Sequence, residues 1–233
     1  MKNVDELEIK KFEALAARWW DPNSEFRPLH EINPLRVNYI NRQVSLAGKQ
    51  VLDIGCGGGI LAEAMAHHGA KVTAIDLAEA SLSVARLHQL ESKLEIDYRF
   101  SSAEQLAGEC EQQYDVITCL EMLEHVPDPS SVVQACAQLV KPGGLIFFST
   151  INRNPKAYLF AVIAGEYLLK LLPKGTHDYS RFIKPSELAN WCRNKNLKLL
   201  DQIGLGYNPF SQRYFLQRSI DVNYIACYYK LEH

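Results

Sequence analysis

Val51-Leu-Asp-Ile-Gly-Cys-Gly-Gly-Gly59 decides the fold of this chain: an apolar strand runs into a turn with glycines at positions 55, 57 and 59. Because glycine has no Cβ, its backbone can take a positive φ and let a bulky ligand lie close to the main chain. The dinucleotide fingerprint G-x-G-x-x-G would need glycine at the position of Ile60. Gly55 and Gly57 therefore predict a cofactor site that does not favour a nicotinamide dinucleotide; the structural alternative is a tight turn without a ligand.

An acidic residue at the end of the second predicted strand supports a nucleoside site. Lys71-Val-Thr-Ala-Ile-Asp76 reads as a short buried strand, and Asp76 follows the first glycine of the turn by about twenty positions, the spacing of a ribose-binding acid. Asp76 is predicted to accept hydrogen bonds from ribose hydroxyls. It could also cap a helix that starts near Glu79.

Strands and helices alternate along the chain, which predicts an α/β fold with a mostly parallel sheet covered on both faces. The predicted strands are 50–54, 71–76, 97–100, 114–120, 144–150, 198–204 and 221–230, and the predicted helices are 5–20, 59–68, 79–92, 130–140 and 186–195. Ligands bind at the carboxyl ends of such strands, where Gly55, Asp76 and Glu121 fall together. The first helix is expected to cover the mouth of this site.

The rest of the chain carries further motifs. Tyr114–Leu120 is a hydrophobic strand, and Lys141-Pro-Gly-Gly144 turns into the next one. With the glycine turn and Asp76, this pattern resembles the seven-stranded S-adenosylmethionine-dependent methyltransferases, which have a Rossmann-like sheet whose last strand is antiparallel. A narrower resemblance, to the ubiquinone-biosynthesis O-methyltransferases, covers nearly the whole length. Its motifs are Ala17-Arg-Trp-Trp-Asp21, Pro28-Leu-His30, Ile32-Asn-Pro-Leu-Arg36, Glu121-Met-Leu-Glu-His-Val-Pro-Asp-Pro129, Lys174-Gly-Thr-His-Asp178 and Phe182-Ile-Lys-Pro185.

The resemblance implies S-adenosyl-L-methionine as cofactor and O-methylation of a prenylated catechol or quinol, at both the polyprenyl catechol and the demethylubiquinol steps. It also allows contact with other enzymes of the ubiquinone pathway. Three alternatives stay open: a small-molecule methyltransferase with a different acceptor, a nicotinamide-dependent dehydrogenase, and a non-catalytic membrane adaptor.

Glu121, Glu124 and His125 are the candidate catalytic residues, offset by three and four positions so that a helical turn would bring them to one side. Two carboxylates and an imidazole could hold a divalent cation, and the resemblance associates these positions with Mg²⁺. Alternatively, His125 alone is the general base, since its pKa lies near the working pH. The third possibility is that Glu124 and His125 only cap and fix the loop.

Arg36 is the candidate for the cofactor's carboxylate, because a guanidinium can grip a carboxylate with two hydrogen bonds and the resemblance places its cofactor-contacting arginine here. Leu120 is expected beside the methionine portion, with Met122 as a weaker neighbour. Adenine is expected near Ser102, Ala103 and Glu104. Other arginines of the same region remain candidates: Arg18, Arg27 and Arg42.

An apolar insertion, residues 152–180, interrupts the alternation. Its segment 157–172 is too short to span a bilayer but has the character of a lid or an interfacial helix, and we expect it to touch the membrane surface. The alternative is packing against the body of the domain. His177, with Asp178, is a second candidate base, and Trp19 and Trp20 could stack on the ligands or simply pack.

Composition sets the outer bounds. With 47% apolar residues in 233, residues 1–230 can form a single domain, with a helical cap over about 5–45. A formal charge of −2 disfavours nucleic acid as a partner. Unpaired cysteine spacing and an N-terminus without an apolar signal lead us to expect a cytoplasmic protein. The apolar insertion adds the expectation that it is peripheral at the inner face of the membrane. Residues 231–233 are expected to be a tag scar.

Overall fold

The computed structural model describes residues 3–158 and 179–232. Its strands are β1 (Gln50–Ile54), β2 (Lys71–Asp76), β3 (Ile96–Phe100), β4 (Tyr114–Leu120), β5 (Val140–Ile151), β6 (Leu197–Asn208), β7 (Arg213–Gln217) and β8 (Asn223–Lys230). Its α-helices are α1 (Glu6–Leu15), α2 (Arg27–Gln43), α3 (Ile60–His67), α4 (Glu79–Ser92), α5 (Ala103–Glu109), α6 (Pro129–Leu139), α7 (Pro155–Ala157) and α8 (Pro185–Arg193). Strands and helices therefore alternate from β1 to β6, and β6, β7 and β8 then follow one another without a helix between them.

The described strands form one sheet in the order β3-β2-β1-β4-β5-β8-β6-β7. Strands β1 to β5 run parallel, whereas β8 is antiparallel to both β5 and β6. This confirms the α/β class, the mostly parallel sheet and the antiparallel last strand. The sheet has eight strands where seven were predicted, because β6 runs on past the predicted strand end and pairs with β7 in a hairpin.

The core lies on both faces of the sheet, as strand alternation requires. On one face, Leu52 and Phe148 pack with α5, α6 and α8, and on the other, Val51 and Phe147 pack with α2, α3 and α4. Both faces are covered, so ligands can enter only at the ends of the strands.

The N-terminal cap consists of two helices rather than one. Helix α1 starts behind Asp5, whose carboxylate accepts hydrogen bonds from the backbone N–H groups of Leu7 and Glu8. It ends five residues before the predicted end at Trp20, and a short 3₁₀ turn, Ala16–Arg18, follows. The sequence pattern does not predict α2 as a separate helix, and it does not predict α5.

The apolar insertion is described only at its ends. The segment predicted to contact the membrane, 157–172, lies outside the described residues from position 159 on, and so do His177 and Asp178. Among the helices of residues 3–158 and 179–232, none has both the length and the apolar character that crossing a bilayer requires.

Candidate active site

The glycine turn forms one wall of a cavity of about 950 Å³. Gly55, Gly57 and Gly59 all have positive φ, 72°, 52° and 86°, so the backbone folds tightly between β1 and α3. A Cβ on Gly57 would lie 2.5 Å from the ring of Trp19, and one on Gly55 would lie 2.6 Å from Cγ of Met122. Both positions therefore require glycine.

Asp76 stands at the carboxyl end of β2 and faces this turn. Its Oδ2 accepts a hydrogen bond from Gly57 N at 2.8 Å, and its Oδ1 accepts one from Ala78 N, also at 2.8 Å. Burial raises the pKa of the Asp76 carboxyl. Each oxygen keeps a second lone pair, so the carboxylate holds the turn and can still accept hydrogen bonds from a ligand. The N-cap residue of α4 is Ala78 and not Asp76. The contribution of Asp76 to the start of this helix is therefore limited to the hydrogen bond that it accepts from Ala78 N.

Arg36 reaches the same cavity from α2. The residue is only 6% exposed, and its Nη2 donates to Oε1 of Glu121 at 2.8 Å, whereas its Nε is buried without a partner. An unpartnered guanidinium N–H beside an open cavity is suited to an anionic ligand group. The competing arginines do not line the cavity, and two of them are engaged at the surface: Arg18 with Glu25, and Arg27 with Glu31.

Glu121 follows β4 in a left-handed conformation, with φ of 52°. Its backbone N–H donates to Ser149 O, and its carboxylate accepts from the Ser149 hydroxyl at 2.6 Å. Holding a non-glycine residue at positive φ costs roughly 1–3 kcal/mol. Glu121 is thus fixed between Arg36 and Ser149 before any ligand binds.

Glu124 and His125 lie on a 3₁₀ turn, Leu123–His125. The predicted helical turn is therefore shorter than expected and leaves Glu121 outside it. Glu124 is 6% exposed, its Oε2 has no partner, and burial and then repulsion from Glu121 raise its pKa to about 7.

His125 is held by the N-terminal cap. Its Nδ1 lies 2.8 Å from Oε2 of Glu8 on α1, and the edge of its ring meets Phe12. Burial lowers the pKa of His125, but the hydrogen bond to Glu8 and the negative charges of the surrounding glutamates, taken together, outweigh burial, so the pKa is raised; the same bond lowers the pKa of Glu8 to about 2. Because Nδ1 faces Glu8, Nε2 is the ring nitrogen left for a ligand.

Asp53 lines the cavity, although the sequence pattern alone assigns it no role. It is 3% exposed at the end of β1, its Oδ1 accepts from the Thr118 hydroxyl at 2.6 Å, and burial raises its pKa to about 7. The signal was present, because an acid stood inside a strand predicted to be buried. Glu8 was missed as well, and its separation from His125 leaves no spacing pattern to find.

The predicted site residues line this one cavity: Arg36, Gly55, Gly57, Asp76, Leu120, Glu121, Glu124 and His125. Met122, Ser102, Ala103 and Glu104 line it too, although the Glu104 carboxylate is engaged with Asn3 and Ser131. The expected cation site is not preassembled, since residues 3–158 and 179–232 hold no group of three or more His, Cys, Asp or Glu side chains placed to bind a metal.

The two adjacent tryptophans pack instead of standing free. Trp19 stacks on Phe26 with ring centroids 3.9 Å apart and donates to the Ser81 hydroxyl. Trp20 stacks on His88 and donates from its ring N–H to Gly58 O at 2.9 Å. Together they fasten the cap to the glycine turn, and Trp19 also forms part of the cavity wall.

Residues 30–202 match the model of a methyltransferase domain family. Among curated proteins, the chain is 67% identical to the ubiquinone biosynthesis O-methyltransferase of Stutzerimonas stutzeri (strain A1501) over 226 residues, which is 97% of each chain. It is 66% identical to the protein of the same name from Pseudomonas aeruginosa (strain LESB58), again over 97% of each chain.

Solved structures share the fold at low identity. A magnesium protoporphyrin IX methyltransferase from Synechocystis PCC 6803, with bound SAH, superposes with a TM-score of 0.69 at 16% identity, covering 97% of this chain and 96% of that one. The PH0226 protein of Pyrococcus horikoshii OT3 superposes with a TM-score of 0.66 at 15% identity, covering 94% and 98%. These likenesses support the Rossmann-like fold of the sheet.

Proposed function

This chain belongs to the ubiquinone biosynthesis O-methyltransferases, and from that premise we propose how its cavity binds the two substrates and removes the acceptor's proton. It is an S-adenosyl-L-methionine-dependent O-methyltransferase of ubiquinone biosynthesis, whose acceptor is a prenylated quinol-type ring. The acceptors we propose are the polyprenyl catechol and the demethylubiquinol intermediates. Both present neighbouring hydroxyls on a ring with an apolar tail, so one cavity can serve both.

The observation that carries the cofactor assignment is the convergence of Asp76, Arg36 and the Gly55–Gly57 turn on one cavity. Asp76 would hold the ribose hydroxyls, and the buried, unpartnered Nε of Arg36 would hold the methionine carboxylate. When bound, the cofactor supplies an electrophilic methyl group whose leaving group is a neutral thioether. The residues around it have only to align the acceptor and take up its proton.

Calorimetry with S-adenosylhomocysteine tests this assignment. Loss of hydrogen bonds to a charged group costs about 1.5–3 kcal/mol, so Asp76→Ala should weaken binding about 10-fold to 100-fold. Asp97→Ala, on the exposed side of β3, is the control and should bind as the wild type does. Equal affinity of both variants, with both folded by circular dichroism, would contradict the proposed ribose contact.

We propose His125 as the proton acceptor. A free phenol has a pKa of about 10, so a base must take the proton at neutral pH. Glu8 holds Nδ1 of His125 at 2.8 Å, which fixes the ring orientation and leaves Nε2 toward the cavity, as a carboxylate does for the histidine of a catalytic triad. The Glu8 carboxylate, whose pKa lies near 2, stays ionised at neutral pH and stabilises the imidazolium that forms.

A divalent cation is the second candidate at this turn, and the buried Oε2 of Glu124 without a partner favours it. Repulsion between Glu121 and Glu124 would be relieved by a cation, and hard cations prefer carboxylate oxygens. Glu121, Glu124 and His125 would hold Mg²⁺, and because the described residues contain no preassembled group of metal ligands, we propose that they do so only with the acceptor bound. The ion would supply a Lewis acid that lowers the pKa of the acceptor hydroxyl.

Chelation separates the two proposals. With EDTA, kcat should fall, and it should recover when Mg²⁺ is added. A kcat that is the same with and without EDTA would refute the cation proposal and leave His125 as the proposed proton acceptor.

Contact of segment 157–172 with the inner face of the membrane remains our proposal. The support is its composition, apolar with basic residues beside it, and the prenyl tail of the acceptor. Deletion of 157–172 should reduce co-sedimentation with vesicles that contain anionic lipid, and unchanged binding would contradict the contact.

A further inference from the structure

The β6–β7 hairpin carries the most exposed large apolar side chain in the described part of the chain. Phe210, at its tip, is 98% exposed. Asn208 fixes the tip, because its Oδ1 accepts hydrogen bonds from Phe210 N at 2.9 Å and Ser211 N at 3.2 Å. The ring is thus held out in solvent by a defined turn.

One exposed aromatic residue is ordinary, so charge must decide what the tip meets. Residues 202–220 contain no Asp or Glu and two arginines, Arg213 and Arg218. Both are exposed, and neither forms an ion pair with any residue that the structure describes. Apolar tip and unpaired cations together match an anionic lipid surface, where each arginine adds about 1 kcal/mol.

The ring pair behind the tip has the composition of a membrane-interface belt. Tyr207 and Tyr214 face each other across the hairpin with centroids 4.8 Å apart. Tyrosine is enriched at the level of lipid headgroups because its ring is apolar and its hydroxyl is polar. The hairpin therefore carries an apolar side chain, Phe210, at its tip and two amphipathic side chains, Tyr207 and Tyr214, behind it.

The hairpin also borders the active-site cavity. Pro209 and Phe215 form part of the cavity wall. Just beyond the hairpin, Asp221 is paired with Lys156 at 2.7 Å, so the chain that leads into the apolar insertion is anchored beside it. Tip, cavity wall and the start of the insertion thus lie along one edge of the molecule.

We propose that the β6–β7 hairpin docks this edge on an anionic lipid bilayer, with Phe210 inserted below the headgroups and Arg213 and Arg218 on lipid phosphates. Docking would place the cavity beside the layer that holds a prenylated acceptor. Only the access to a prenylated acceptor rests on the proposed function. Binding of the hairpin to lipid does not, since it requires no substrate.

Vesicle co-sedimentation of the full chain tests it, with phosphatidylcholine vesicles made with or without phosphatidylglycerol. Burying a phenylalanine side chain is worth about 1.5–3 kcal/mol, so Phe210→Ala should weaken partitioning at least about tenfold, and Phe210→Trp should restore it. Arg213→Gln should weaken binding about fivefold on the anionic vesicles only. Leu90→Ala, which removes a side chain that is 70% exposed on α4, is the control and should bind as the wild type does.

Equal partitioning of Phe210→Ala and Leu90→Ala would overturn the proposal. The proposal would also be overturned if light scattering showed a dimer for the wild type and a monomer for Phe210→Ala. The tip would then be covered by a second copy of the chain. Methyl transfer to a soluble, short-tailed quinol should be the same in Phe210→Ala and wild type. If the wild type does not methylate this quinol, the proposed function is contradicted, whereas the conclusion on lipid binding is unaffected.

Discussion

Replacement of Gly57 by alanine tests the coupling between the glycine turn and the N-terminal cap. The residue has a φ of 52°, and an added Cβ would lie 2.5 Å from two ring atoms of Trp19. Trp19 cannot yield easily, because it is stacked on Phe26 and hydrogen-bonded to Ser81. The substitution must therefore displace the cap, the turn, or both.

The chain supplies a matched control for the backbone part of this cost. Gly48 has a φ of 76°, and a Cβ there would meet nothing within 4 Å. Each alanine pays about 1–2 kcal/mol for the left-handed conformation. Only Gly57→Ala adds the steric cost of overpacking, about 1–3 kcal/mol.

Thermal unfolding and calorimetry measure the two consequences. At about 2–4 °C per kcal/mol for a domain of this size, Gly57→Ala should melt about 2–12 °C below Gly48→Ala. It should also bind S-adenosylhomocysteine at least about tenfold more weakly, since tenfold corresponds to 1.4 kcal/mol. If the two variants melt together and bind alike, the turn is not held by Trp19 and the reasoning fails.

Two further substitutions probe the charged residues of the cavity. Arg36→Gln should raise the Kd for S-adenosylhomocysteine about 10-fold to 100-fold by removing a charge-assisted contact, with Arg42→Gln unchanged in the same titration; equal values would refute the carboxylate role. Glu8→Gln keeps an acceptor oxygen for the His125 ring but removes the carboxylate charge, so it should lower kcat about tenfold to hundredfold by no longer stabilising the imidazolium, with KM for the cofactor unchanged, in a steady-state methyl-transfer assay. Glu13→Gln, exposed on the same helix, is its control, and a kcat equal to that control would show that the Glu8 charge does not assist the base.

The strands of the sheet could be predicted well because their limits are marked chemically. A buried apolar run ends at a glycine turn after β1 and at Asp76 after β2, and both boundaries were confirmed. Strand β7 could not be predicted because it has only five residues and, among the described strands, pairs only with the extension of β6. Helix α5 escaped because seven residues give too short a period to detect.

Some residues of the site could also be predicted from the sequence, and others could not. Gly55, Asp76 and Glu121 could be brought together from the sequence, because the carboxyl ends of parallel strands share one edge of a sheet. The pairing of Glu8 with His125 could not, since the two residues are 117 positions apart and no pattern says where the face of α1 docks. Nor could the raised pKa of Asp53, which follows from burial in the folded sheet.

Methyl transfer itself tests the central claim most directly. The protein is incubated with S-adenosylmethionine labelled in its methyl group and with a short-tailed demethylubiquinol analogue, and the quinol is extracted and identified by mass. The account predicts a labelled methoxy group on the ring with the wild type and a much lower yield with Asp76→Ala. An unlabelled quinol with the wild type, or equal yields from the two proteins, would contradict it.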